Sequence, residues 1–207
     1  MLSRLGGCLL AVLLTGSVGY AQQKTTYSIV PNKSKIEINV YKEGLFKAFG
    51  HDHMVTTSEI SGQVQYDSQK IENSGVELKI AASSLSVTDP GESEKDRQDV
   101  QAAMRGEKVL DVAKFAEIAF SSTGISGAKQ TPEGWDITLT GNLRLHGVQK
   151  AVTFPLKVRV EGGVLRAHGE VSIAQSDYGI TPVKAAGGSV TVKDKIKITF
   201  TIEAAGH

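Results

Sequence analysis

Cysteine is almost missing from this sequence: Cys8 is the only one in 207 residues. That rules out a disulfide framework, a cysteine-held iron–sulfur cluster and thiol chemistry in the body of the chain. An excess of charge is also missing. The 23 lysines and arginines nearly balance 22 aspartates and glutamates, which gives no electrostatic case for nucleic acid or an anionic membrane surface. No apolar run reaches the roughly 20 residues that a membrane-spanning helix needs. Of the common catalytic and nucleotide signatures, the GxSxG elbow, the P-loop, the HExxH helix and the dinucleotide fingerprint are all lacking. Most acidic residues fall on the wet side of an alternating pattern or in one helical segment, so no acid–base pair stands out. An enzyme is not expected.

The start of the chain reads as a secretory signal peptide. Arg4 precedes a short apolar run at residues 8–14, and small residues lead to Ala21. Cleavage after Ala21 leaves residues 22–207 as one exported domain, periplasmic or secreted. It also removes Cys8, and with Arg4 the one surplus basic charge. The sequence "LGGC" suggests a lipidation box as an alternative, but it stands before the apolar run instead of after it.

What the remainder has in abundance is strict apolar–polar alternation, the period of half-buried strands. Ile36, Ile38 and Val40 begin it. Further runs are Ile60, Val64 and Tyr66; Val76, Leu78 and Ile80; Ile118 and Phe120; and Trp135, Ile137, Leu139, Leu143 and Leu145. Val152, Phe154, Leu156, Val158 and Val160 follow, then Leu165, Val171 and Ile173, and finally Ile196, Ile198, Phe200 and Ile202. These make about eight strands, joined by turns such as Asn73-Ser74-Gly75, Pro132-Glu133-Gly134, His146-Gly147, Gly162-Gly163 and Gly187-Gly188. Short connections and alternation predict an all-β fold, an antiparallel eight-stranded lipocalin-like barrel that buries its apolar face and removes its edges. Gly62, Gly141 and Gly169 inside strands relieve crowding at bends. Residues 89–110 break the pattern: Val100, Ala103 and Met104 recur at helical spacing after an acidic start, predicting one inserted amphipathic helix.

Five histidines are present, two of them in "LFKAFGHDHMV" at residues 45–55. On an extended chain His51 and His53 share one face and Asp52 takes the other. They suit a polar lining at the barrel mouth or contact with a ligand headgroup. A metal site of His51, His53 and His146 is the alternative, with Asp52 as ligand or orienter; it would make the protein a periplasmic metal-binding or redox-partner protein. His168 reads as surface.

Several segments together carry a resemblance: "YSIVPNKSKIEINV", "VLDVAKFAEIAFSST", "TGNLRLHGVQKAVTFPL", "SIAQSDYGI" and "VKDKIKITFTIEA". Over residues 27–204 the chain resembles the YceI-like family of exported lipid-binding proteins. The "GHDH" run replaces a basic "GVSKVRGRF"-like stretch, and "DRQDVQAAMRGEK" replaces an "RDGHLRS"-like one, marking a histidine-bearing branch. The resemblance implies a lipocalin-like barrel holding an isoprenoid lipid or quinone as ligand and partner, with no required cofactor. Candidate ligand-binding residues are Phe46, Phe49, His51, His53, Leu78, Ile118, Phe120, Leu139, Leu143, Phe154 and Tyr178. Burying about fifteen carbons releases roughly 12 kcal/mol gross at ~0.8 kcal/mol per methylene, against an association cost of about 4–15 kcal/mol. A long chain and a preformed tunnel are therefore needed. A core filled by its own side chains would give the same alternation. The oligomeric state stays open, a homodimer being one option.

Overall fold

In the computed structural model, residues 24–43, 52–185 and 190–206 are described. The expected signal peptide, Phe46, Phe49, His51 and the Gly187-Gly188 turn lie outside them. The strands are β1 (Thr25–Ile29), β2 (Lys35–Val40), β3 (Lys42–Glu43), β4 (His53–Thr57), β5 (Ile60–Tyr66), β6 (Gly75–Ala81) and β7 (Ser86–Val87). After the helix α1 (Glu94–Arg105) come β8 (Glu117–Thr131), β9 (Gly134–Leu145), β10 (Val148–Glu161) and β11 (Val164–Ala174). β12 (Lys184–Ala185), β13 (Val190–Val192) and β14 (Lys195–Gly206) end the chain.

Every pairing is antiparallel. The order β1-β5-β6-β8-β9-β10-β11-β14 closes on itself through β1 and β14, giving an eight-stranded barrel. β2, β4 and β7 continue β1, β5 and β6 beyond a break, so the first three barrel strands are each made of two pieces. Tyr27 stands opposite Val64, and after the break Ile36 stands opposite Thr57. The break in the first strand is a 3₁₀ turn at Pro31–Lys33. Pro31 has no N–H to give to a ladder, while Ser34 Oγ accepts from Glu203 N–H and holds the turn against β14. β1 is a short strand that the apolar pattern from Ile36 onward does not include, yet it supplies the closing pair. A small sheet of β12, β13 and β3 lies apart from the barrel ladder.

Alternation decides which face is which. Tyr27, Ile29, Ile60, Ile80, Phe120, Ile137, Leu139, Phe154, Leu156, Val158, Leu165, Ile202 and Ala204 point inward as one buried cluster. The outer face carries cross-strand pairs such as Lys157–Asp136, Lys197–Glu170 and the two cations Lys79 and Arg144 on Glu117. An apolar inside and a charged outside are the reverse of a membrane-spanning barrel, whose outer band is apolar. No helix among the described residues is long and apolar enough to cross a membrane.

The helix starts later than its acidic lead-in suggests. Ser93 caps it by accepting from Asp96 N–H, with Glu94 and Asp96 in the first turn. Asp89 therefore lies outside the helix. Met104 packs against a buried apolar cluster of the barrel, Val100 is half-buried and Ala103 is exposed. Gln101 covers the free edge of β7, its Oε1 accepting from Val87 N–H and its Nε2 donating to the Leu85 carbonyl. That protects an edge which would otherwise be open to pairing.

Candidate functional site: an apolar cavity along the barrel

The inward side chains do not fill the barrel. They surround a cavity of about 240 Å³ that runs from Ile71 and Ser74 at one end to Met104, Val109 and Leu110 at the other. A barrel of eight strands has room for side chains or for one small ligand. Here the wall is apolar except for Ser74, Gln175 and the Tyr66 hydroxyl.

The room comes from where the aromatic rings lie. Phe120, Phe154 and Phe200 form a row along the wall, with ring centroids 5.8 and 5.6 Å apart. A Cβ on Gly141 would run into the Phe120 ring, and one on Gly169 would come 2.8 Å from Phe200 Cζ. The missing side chains let the rings lie back against the strands. These glycines thus seat rings, where bends are expected from the sequence alone.

One end is closed by the turn Ile71–Asn73. Its Ile71 is buried and faces the cavity. Asp67 ties that turn together, accepting from the N–H groups of Gln69 and Lys70 and from Asn73 Nδ2. The Lys70 N–H is the main reason its carboxyl is held below the ordinary value; burial opposes this, and the Asn73 and Gln69 bonds assist.

At the other end, β4 brings His53 onto the cavity side. Val40, directly opposite His53, and Val55, two residues further along, both line the cavity. Directly opposed residues share a face, as do residues i and i+2, so the His53 side chain stands above Val55 by about 7 Å of strand. Asp89 lies just past β7, and its carboxylate is buried. His53 Nδ1 is 2.6 Å from Asp89 Oδ2, and Met54 N–H donates to Oδ1 at 2.5 Å. Sequence reasoning missed Asp89, because Asp-Pro-Gly before a run of acids reads as the start of a helix.

Leu78, Ile118, Phe120, Leu139, Leu143 and Phe154 all line the cavity. Tyr178 does not. It is 1% exposed, packed with Val55, Leu85, Leu110, Leu145, Ile173, Ile180 and Ile196, which do line the cavity, and burial pushes its hydroxyl above the ordinary value. His146 sits at the β9–β10 turn with positive φ, its Nδ1 3.1 Å from the Tyr178 carbonyl and its ring on Phe115 at 4.5 Å. The structure thus gives His53 and His146 different partners and does not join them in a ligand set. Among the described residues, no group of three or more His, Cys, Asp or Glu side chains could hold a metal ion. His168 is exposed beside Thr201.

The model of the YceI-like domain matches residues 27–204. The chain belongs to that family. It is similar to protein YceI of Salmonella newport, at 30% identity over 171 residues, covering 76% of this chain and 81% of that protein. A UPF0312 protein of Enterobacter is 32% identical over 132 residues, 61% of this chain; the match spans only 62% of that relative's length. Among solved structures, BcnA of Burkholderia cenocepacia aligns with a TM-score of 0.66 at 21% identity, over 86% of this chain and 99% of that one. The YceI protein of Campylobacter jejuni aligns at 0.53 and 16% identity, over 72% of this chain and 81% of that one. Both likenesses are of fold.

Proposed function

We propose that this YceI-like chain is an exported, non-catalytic carrier. It takes the apolar chain of an amphiphilic lipid, of the isoprenoid or quinone class, into the barrel. The observation that carries this reading is the cavity itself, about 240 Å³ and walled almost wholly by hydrocarbon. Water in such a space finds few of the two to four polar partners it needs, whereas each buried methylene gains about 0.8 kcal/mol. The polar end of the lipid stays at the His53 end, where β4 and the segment after β7 bring His53 and Asp89 together on the cavity side. Removal of residues 1–21 on export fits a carrier that works beside a membrane.

Native mass spectrometry of the protein purified from its own compartment, with organic extraction and elemental analysis of the same sample, tests this. An extractable lipid in stoichiometric amount, without stoichiometric metal, is expected. Stoichiometric metal without lipid, or neither one, overturns the reading.

A further inference from the structure

The His53–Asp89 pair has a chemical direction. We infer that it selects a neutral amphiphile whose polar end is a hydroxyl, a hydrogen-bond donor; this deepens the chain-binding reading above and rests on it. Both Asp89 oxygens act as acceptors, Oδ1 toward Met54 N–H and Oδ2 toward His53 Nδ1. A carboxylate has no proton to give, so the nitrogen facing it carries the hydrogen. In the neutral ring this leaves the lone pair on Nε2, on the side of the imidazole away from Asp89. Nε2 therefore accepts. Asp89 holds the ring in this orientation: its carboxylate is fixed by Met54 N–H and almost wholly buried, with His53 26% exposed beside it.

Three headgroup classes are separated by this geometry. An alcohol or other O–H donor completes the chain of bonds from Met54 N–H and His53 Nδ1–H through the ring to the ligand. An ether, ester or ketone, the oxidised quinone included, offers only acceptors, which face the Nε2 lone pair and gain nothing, so within the quinone class the reduced quinol is the form selected. A carboxylate or phosphate offers acceptors too, and brings negative charge toward the buried Asp89 carboxylate. Val40 and Val55 place the pair over the apolar cavity, so a chain lying among the phenylalanines has its end within reach of the ring.

The test uses three ligands built on a twelve-carbon chain, dodecan-1-ol, 1-methoxydodecane and dodecanoic acid. Each displaces the fluorescent apolar probe N-phenyl-1-naphthylamine from the protein at neutral pH. The alcohol is expected to bind about tenfold tighter than the ether, the scale of one added hydrogen bond, and tighter than the acid. His53→Phe should bring the alcohol down to the ether's affinity. Asp89→Asn should act differently. Its Oδ1 is kept by Met54 N–H, its amide N–H then faces Nδ1, and the ring proton moves to Nε2, turning an acceptor into a donor. The ether should then gain and approach the alcohol. Ether binding, which needs only the barrel, reports that each variant is folded. Equal affinity of alcohol and ether in the unaltered protein overturns the inference while leaving chain binding intact. So does an alcohol preference that survives His53→Phe. Failure of all three ligands to displace the probe overturns both.

Discussion

At the scale of single residues, the barrel's open interior depends on atoms that are absent. Gly141 lets the Phe120 ring fold onto the wall, and Gly169 does the same for Phe200. An alanine at 141 would place its methyl carbon 2.6 Å from the Ser121 carbonyl oxygen as well as against the ring. Gly141→Ala is therefore expected to lower stability by about 1–3 kcal/mol, the usual cost of overpacking, and to push Phe120 into the cavity. Urea denaturation checks the first effect and probe binding the second. Period-two alternation is enough to place Leu78, Phe120, Leu139 and Phe154 on the inner face, because that face is a property of neighbouring residues. It is not enough for Tyr178, which lies in a 3₁₀ turn after β11, where alternation has ended. Asp89 was hidden for a related reason: its partners, His53 and Met54, are 36 and 35 positions away, and local sequence offers a helix start as the simpler account.

At the scale of elements, each end of the barrel is finished by a segment that the strand pattern does not contain. Ile71–Asn73 closes one end, held by the Asp67 carboxylate; α1 and the residues after it cover part of the other, held to β7 by Gln101. The Asp67 closure makes a pH prediction. Its carboxyl is depressed chiefly by the Lys70 N–H, so the folded form prefers the ionised state. The resulting stability is fully present above the unfolded-state value of about 3.9 and is lost as pH falls through the lower folded value. The difference in melting temperature between the unaltered protein and Asp67→Asn is expected to be constant above about pH 5 and to shrink below about pH 4. A difference that is independent of pH would remove Asp67 from that role. The helix was legible from its spacing, but its boundary was not. The acids ahead of Ser93 share a composition with the first turn, and only the cap bond to Asp96 N–H separates them.

At the scale of the whole molecule, the barrel architecture was readable because closure is what a long antiparallel meander with one apolar face requires. The break in each of the first three strands was not, since the apolar pattern resumes on the same face after each turn. Whether the core is filled was also beyond the pattern, because a packed interior and a tunnel need the same alternation; only the positions of the rings decide it. The central claim is that an apolar chain lies inside this barrel. The most direct test is nuclear magnetic resonance of the protein with a carbon-13-labelled dodecan-1-ol, reading proton–proton Overhauser contacts between ligand and side chains. Contacts are expected from the chain methylenes to the rings of Phe120, Phe154 and Phe200 and to the Leu139 methyls, with the carbinol end nearest Val40, Val55 and His53. Contacts confined to outward-facing side chains, with the phenylalanine resonances unmoved, would contradict it.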